Sequence, residues 1–100
     1  MDKANLKTLL ENGIVDFTFE KLNGEERKAR GSRKLYILYH TPESGFTEDN
    51  LPTTSRKQSD EACAYWDFDK QDWRCVRFDS IISIDRYITE EQLFGKKLFE

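Results

Sequence analysis

Hydrophobic and polar residues alternate along several short stretches of this chain, a pattern that predicts half-buried β-strands. Val15, Phe17 and Phe19 alternate with polar residues, and the following Asn23-Gly24 pair has the composition of a tight hairpin turn. A more polar strand is expected to return over residues 25–30. The first third of the chain therefore predicts a β-hairpin.

A second hairpin is predicted in the later half of the chain. Residues 69–72 have turn composition, and residues 73–78 are expected to run back as a strand. Four apolar residues at alternate positions are expected to share one face of the preceding strand: Ala62, Ala64, Trp66 and Phe68.

Two further short strands and two helices complete the prediction. Strands are expected at residues 35–39, after a bend or bulge at 31–32, and at residues 81–84. A helix at the start is predicted by the leucines at helical spacing, and a short helix near the end by a capping box of Thr89 and Gln92. The leucines are Leu6, Leu9 and Leu10. Five or six short strands with these helices favour a mainly β fold with a small closed sheet.

The length of 100 residues predicts a single domain, residues 1–100. Residues 40–60 are rich in Pro, Gly, Ser, Thr and charge, and they are interpreted as a long loop that is either functional or disordered. Residues 95–100 are expected to form a flexible tail.

Composition places the chain among cytoplasmic proteins. No apolar run approaches the roughly 18 residues that a membrane span requires, and the start of the chain lacks a signal-peptide core. The hairpin pattern sets Cys63 and Cys75 about three rows apart, which is too far for a disulfide, so both are expected to be reduced.

A basic run in the first half is the best candidate for binding phosphates. Its five cations lie within eight positions without an intervening acid: Arg27, Lys28, Arg30, Arg33 and Lys34. Cations on an exposed strand contact successive phosphates, and nearby aromatic residues supply stacking surfaces if they face outward. The net charge of −3 works against a polyanion, and an ordinary solvated strand is the competing interpretation.

Catalytic and metal-binding constellations are incomplete. Asp67, Asp69 and Asp72 cluster at the second turn, but the Gly and Glu that a calcium loop requires are not at the matching positions, so a solvated turn is the simpler interpretation. His40 is the single histidine and has no evident catalytic partner. We therefore expect no enzyme activity, no cofactor and no metal.

Several motifs resemble one protein family. Residues 73–81, Trp-Arg-Cys-Val-Arg-Phe-Asp-Ser-Ile, resemble the closing motif of WYL-type domains. The Phe-Thr-Phe-Glu-Lys strand at 17–21, Gly-Glu-Glu-Arg at 24–27, and Trp66-Asp67 with Trp73-Arg74 are similar to the small stand-alone WYL-like proteins of tailed phages. The resemblance covers most of residues 5–85 and implies a five-stranded SH3-like or Sm-like barrel.

The resemblance also implies a ligand. Barrels of this family in larger regulators are regarded as sensors of nucleotides or nucleic acid, and the implied basic positions here are Arg74 and Arg77, which lie on opposite faces of their strand. The first hypothesis is a phage-type accessory protein that binds nucleic acid or a nucleotide through these arginines and the basic run. The alternative is a module that inhibits or redirects a host protein through a barrel face and the 40–60 loop, with Phe46 and Leu51 as apolar anchors.

Overall fold

The computed structural model describes residues 5–51 and 61–95, and these form one antiparallel sheet of five strands with three short α-helices. The mainly β fold and the helices near both ends are as predicted. The strands are β1 (Gly13–Glu20), β2 (Glu26–Ser32), β3 (Ala62–Asp67), β4 (Asp72–Arg77) and β5 (Ile81–Thr89). The helices are α1 (Leu6–Asn12), α2 (Leu35–His40) and α3 (Glu90–Phe94).

The strands follow the order β4-β3-β2-β1-β5, so β1 lies between β2 and β5. Phe17 of β1 is opposite Ala29 on one side and Ile84 on the other. β2 and β3 share only two residue pairs, at Gly31 and Ser32. The free end of the β1–β2 hairpin therefore extends past β3 without a ladder between them.

Apolar side chains cover both faces of the sheet. One face forms the barrel core with α1, and its buried members are Leu6, Leu10, Val15, Phe17, Ala29, Cys63, Tyr65, Val76 and Ile81. The other face forms the α2 core, with Ile14, Ile37, Leu38, Phe46, Trp66 and Phe68. Burying these side chains is the main favourable contribution to folding, at roughly 25 cal/mol per Å² of apolar surface.

The segment predicted as a strand at residues 35–39 is the helix α2 instead. In a strand, Leu35, Ile37 and Tyr39 would share one face, but Ile37 is fully buried while Leu35 and Tyr39 are exposed. Leu38 is buried beside Ile37, which fits a helix that turns one side toward the sheet. Packing against the α2 core thus overrides the β propensity of this sequence.

Two other predictions of local structure are corrected. Residues 31–32 lie inside β2 rather than in a bend, because Gly31 lacks a side chain and lets β3 come close: a Cβ there would lie 2.5 Å from the carbonyl oxygen of Trp66. The last strand is longer than residues 81–84, since β5 continues to Thr89. There the predicted capping box is present, with Thr89 accepting from the Gln92 amide and Gln92 from the Thr89 amide.

The apolar alternation in β3 was only partly predictive. Trp66 and Phe68 do share the α2 core, but Ala64 is exposed and the opposite face, with Cys63 and Tyr65, is buried as well. A strand that is buried on both faces does not show a simple alternation.

The two cysteines are free, although not for the predicted reason. Cys63 pairs with Val76 and Cys75 with Ala64, so the thiols lie one row apart on opposite faces of the hairpin rather than three rows apart. Burial raises the pKa of the Cys63 thiol to about 11.

The predicted loop is partly ordered where the structure describes it. Short 3₁₀ helices occupy Pro42–Ser44 and Glu48–Asn50, while the rest of the predicted loop, residues 52–60, and the last residues of the predicted tail, 96–100, lie outside the described part. No helix in the described part is long and apolar enough to cross a membrane.

Candidate ligand-binding groove

The basic run is divided between two faces of the sheet because successive residues of β2 point in opposite directions. Arg27 lies opposite Phe19, on the side of the barrel core. Lys28 lies opposite Thr18, and Arg30 lies opposite Asp16, on the outer side. The five cations therefore do not form one continuous basic surface.

Arg27 is held by a buried carboxylate. Its Nη2 donates to Oδ2 of Asp67 over 2.5 Å, and the hydroxyl of Tyr65 donates to the same oxygen over 3.3 Å. The Asp67 side chain is fully buried, whereas that of Arg27 is 21 % exposed. The guanidinium carbon of Arg27 also lies 5.8 Å from the ring centroid of Phe19, in the range of a cation–π contact.

Asp67 corrects the prediction of a solvated acidic turn. Its other oxygen, Oδ1, accepts from the backbone amides of Asp69 at 2.9 Å and Lys70 at 3.1 Å, so the side chain organises the β3–β4 turn. A buried carboxylate is tolerated when it is paired and its acceptor sites are filled. Asp69 and Asp72 are exposed, so only the first of the three acids has this structural function.

Tyr65 is kept in its protonated form at this position. Burial, together with the neighbouring Asp67 charge, raises the pKa of the Tyr65 hydroxyl well above its usual range. The phenol therefore remains a hydrogen-bond donor to Asp67 at all physiological pH values.

Arg27 and Arg74 meet at an open groove of about 410 Å³, which we call the basic groove. It lies between the end of the β1–β2 hairpin and the β3–β4 hairpin. Its lining residues are Phe19, Lys21, Leu22, Asn23, Arg27, Tyr65, Arg74 and Cys75. The groove thus joins three cationic side chains with two aromatic rings and the exposed side chain of Leu22.

The two arginines of β4 have different surroundings. Arg74 lies opposite Tyr65 and lines the basic groove, whereas Arg77 lies opposite Ala62, on the other face, and donates to Asp79 over 3.2 Å. Both are exposed, and they point to opposite faces as predicted. Arg74 is therefore the one that the structure brings together with Arg27.

On the outer face, Arg30 is engaged by two carboxylates. It donates to both oxygens of Asp16, at 2.7 and 3.1 Å, and to Glu43 at 3.3 Å. Nearby, Asp85 accepts from the hydroxyls of Ser83 and Thr18, and these hydrogen bonds lower its pKa below the usual range. The part of the outer face around Arg30 and Asp85 therefore consists mainly of paired polar and charged side chains.

The remaining cations of the run are separated from the basic groove. Lys34 forms an ion pair with Glu90 at the start of α3. Arg33 is half-buried; its amide donates to the Leu10 carbonyl, and its Nη1 is buried without a hydrogen-bond partner in the described residues. Lys28 is exposed on the outer face.

The two proposed loop anchors differ as well. Phe46 is only 7 % exposed and packs edge-on against Trp66, with ring centroids 4.9 Å apart, so it belongs to the α2 core rather than to the surface. Leu51 is 38 % exposed. Among the described residues, no cluster of His, Cys, Asp and Glu side chains is arranged to hold a metal ion.

Sequence reasoning predicts Arg27 and Arg74 as ligand contacts but not Lys21 or Leu22. Lys21 is predicted only as part of the Phe-Thr-Phe-Glu-Lys strand, and Tyr65 is one of the nearby aromatic residues predicted to stack if they face outward. A usable signal was the position of the Asn23-Gly24 turn, because the residues beside a hairpin turn are displayed at the end of the sheet. The pairing of Arg27 with Asp67 spans 40 positions and has no signal in a single sequence.

Comparisons with known proteins give the following. The family model WYL_2, described as an Sm-like SH3 β-barrel fold, matches residues 3–82. A protein of Enterobacteria phage T4, the uncharacterized 11.5 kDa protein in the Gp31-cd intergenic region, is 30 % identical over 93 residues, covering 91 % of this chain and 86 % of its own length. No solved structure matches the chain significantly.

Proposed function

Because this chain belongs to the WYL_2 family of Sm-like SH3 β-barrels, we propose that it is a non-enzymatic, phage-type accessory protein that binds nucleic acid or a nucleotide through the basic groove. The observation that carries the proposal is the convergence of Arg27 and Arg74 on a groove walled by Phe19 and Tyr65. The fold alone does not specify a ligand, so the argument depends on these side chains.

The chemistry of the groove suits a phosphate joined to a planar ring. Guanidinium groups recognise phosphate oxygens through paired hydrogen bonds, and aromatic or apolar side chains pack against nucleobases. Arg27 is positioned in advance by Asp67, which lowers the entropy cost of ordering it around a ligand. A volume of about 410 Å³ lies within the range of roughly 300–1,000 Å³ found for small-molecule sites.

The other cations named from the sequence contribute less in this proposal. Arg30 and Lys34 are engaged by carboxylates, Arg33 is half-buried, and Arg77 faces away from the groove. Lys28 is exposed, but on the outer face. We therefore assign ligand contact to Arg27 and Arg74, with Lys21 added from the structure.

The test is a fluorescence anisotropy titration with labelled single- and double-stranded DNA and RNA and with a fluorescently labelled nucleotide, at low and moderate salt. Arg74→Ala should weaken binding at least about tenfold, as expected for a charge-assisted hydrogen bond of about 1.5 kcal/mol or more. Arg77→Ala is the matched control, since it removes the same charge from the opposite face of the same strand and should leave binding within about twofold at equal salt. No binding of any probe at low salt would contradict the proposal.

A second candidate function is a protein-binding module that inhibits or redirects a host protein. The observation that favours it is a group of exposed apolar side chains along α2 and the following segment, Leu35, Tyr39 and Leu51. Tyr39 contacts Phe46, and the indole of Trp73 donates to the Asn50 carbonyl beside Leu51, so this surface is attached to the α2 core.

This candidate is tested by affinity capture from a bacterial lysate. Leu35→Ser with Leu51→Ser should remove a specific partner, whereas Ile82→Ser, which changes an equally exposed apolar residue on β5, should retain it. The same partners captured by all three proteins would argue against a docking function for this surface.

A further inference from the structure

Carboxylates border the basic groove on both sides. Beside the β1–β2 turn, exposed Glu25 lies 3.9 Å from Lys21 of the groove, whereas Glu20 and Glu26 alternate with Phe19 and Arg27 and face the outer side. On the β4 side, Asp72 is exposed on the same face as Arg74 and two positions before it. A polyanion that continued beyond the groove would meet negative charge in either direction, and like charges brought together at an interface are unfavourable.

The other cations of the basic run and of β4 do not continue the groove. Arg30 and Lys28 occupy the outer face, and Arg77 points to the opposite side of β4. Lys34 is bound to Glu90. Proteins that hold a single strand of nucleic acid use a positively charged groove that follows several phosphates, and this surface has cations for one site only.

The charge within the groove matches a terminal phosphate. The charge of Arg27 is balanced by Asp67 at 2.5 Å, and Lys21 is only weakly compensated by exposed Glu25 at 3.9 Å. Lys21 and Arg74 therefore supply two positive charges. A phosphomonoester carries roughly 1.5 to 2 negative charges at neutral pH, whereas each internal phosphodiester of a strand carries only one.

The apolar side chains of the groove offer packing contacts for one nucleobase. Leu22 is fully exposed at the turn, and Phe19 is half-buried behind it. An isolated leucine that projects into solvent beside a cationic site is suited to pack on the flat face of a ligand.

Building on the proposed function, we propose that the basic groove binds a free nucleotide through its terminal phosphate, and that it does not bind an internal stretch of DNA or RNA. Arg27, Arg74 and Lys21 hold the phosphate, and Leu22 with Phe19 covers the base. The carboxylates at the border exclude longer strands by repulsion, which is a mechanism of specificity against the wrong ligand.

The experiment compares four kinds of probe by isothermal titration calorimetry at one low salt concentration. The probes are nucleoside 5′-monophosphates, the matching nucleosides, a hexanucleotide without terminal phosphates, and the same hexanucleotide with a 5′-phosphate. The monophosphates should bind, and the nucleosides and both hexanucleotides should bind at least about tenfold more weakly, a difference of about 1.4 kcal/mol. Arg74→Ala should weaken the binding of the monophosphate and not that of the nucleoside.

A single substitution tests the border directly. Asp72→Asn should raise the affinity for the hexanucleotides severalfold and leave the affinity for the monophosphates unchanged, because Asp72 shares the face of Arg74 but does not line the groove. A wild-type preference for the hexanucleotide without terminal phosphates would overturn this inference and leave the proposed function standing. Equal binding of the 5′-phosphorylated hexanucleotide and the monophosphates would overturn the assignment to free nucleotides. Failure of every probe would overturn the proposed function as well.

Discussion

Arg27 and Arg30 lie three positions apart on the same strand, and their surroundings differ in almost every respect. Arg27 points to the barrel side, where it binds the fully buried Asp67 and lines an open groove. Arg30 points to the outer side, where its partners Asp16 and Glu43 are partly exposed and occupy all three of its donor nitrogens. The comparison shows that a cation in a sequence becomes a binding group only where the fold leaves it accessible and its partner does not use all of its donors.

The largest expected effect follows from removing the buried partner. Asp67→Ala deprives Arg27 of its carboxylate and the β3–β4 turn of its acceptor, and breaking a buried ion pair costs about 3–5 kcal/mol. Urea unfolding monitored by circular dichroism measures this change. Asp69→Ala, two positions on and exposed, should change the free energy of unfolding by no more than about 0.5 kcal/mol. Equal effects of the two substitutions would contradict the burial of Asp67.

Gly31→Ala tests the close approach of strands on the barrel side. The added methyl would lie 2.5 Å from both the Trp66 carbonyl oxygen and a ring carbon of Tyr65, so β3 must move. Overpacking of this kind costs about 1–3 kcal/mol. Lys28→Ala, which shortens an exposed side chain on the outer side, should be nearly neutral in the same unfolding assay. A neutral Gly31→Ala variant would show that β2 and β3 are not this close.

The stability of the protein at alkaline pH tests the burial of Tyr65 on the barrel side. Its folded-state pKa is raised, so the folded protein retains a proton that the unfolded chain loses above about pH 10, and stability falls as pH rises beyond that value. The loss for one group is about 1.4 kcal/mol per pH unit. Tyr65→Phe should remove this component at pH 10–11, while the component from buried Cys63, which has the same sign, remains in both proteins. Identical alkaline slopes in urea titrations would contradict the assignment.

A smaller effect is expected from the outer ion pairs. Arg30→Ala removes the contacts to Asp16 and Glu43, but these groups are partly solvated, so the cost should be about 0.5–1 kcal/mol and should shrink as salt is added. Unfolding measured at low and high ionic strength checks both points. A loss of stability that is as large as that of Asp67→Ala and does not depend on salt would contradict the difference between the surroundings of Arg27 and Arg30.

The smallest effect concerns Asp85 on the outer face. Hydrogen bonds from Ser83 and Thr18 lower its pKa, so its contribution to stability is present above the unfolded-state value of about 3.9 and is lost as pH falls through the folded-state pKa. Asp85→Asn should therefore reduce the loss of stability at acid pH and leave the loss of stability at alkaline pH unchanged. Thermal unfolding between pH 3 and pH 6 measures the difference, and an unchanged loss of stability at acid pH would show that the hydrogen bonds do not bias its titration.

Much of the fold was predictable from local pattern. The alternation around Phe17, the Asn23-Gly24 turn and the capping box of Thr89 and Gln92 are signals within a few residues of one another, and the structure confirms each. The resemblance to WYL-type barrels is confirmed by the family match over residues 3–82. Residues 35–39 were misassigned because an aromatic and β-branched sequence favours a strand until a neighbouring surface decides which side it buries.

The candidate site was less predictable. Arg27 and Arg74 were named from the sequence, but so were five other cations, and nothing local distinguishes those with carboxylate partners from those that line a groove. The sequence predicts Phe46 as an apolar anchor in the 40–60 loop, whereas in the structure its side chain is buried in the α2 core. Such assignments depend on contacts between residues tens of positions apart.

The sequence by itself determined the two β-hairpins, the helices near both ends, the alternation of faces within β2 and the family, because all of these depend on local spacing or on motifs along the chain. Only the tertiary structure decided that Asp67 is buried beneath Arg27, that Arg74 joins it while Arg77 does not, and that Lys21 and Leu22 complete the groove. The physical reason is that charge pairing and burial are set by distance in space, and a hairpin register or a strand pairing fixes that distance only after the whole sheet has assembled.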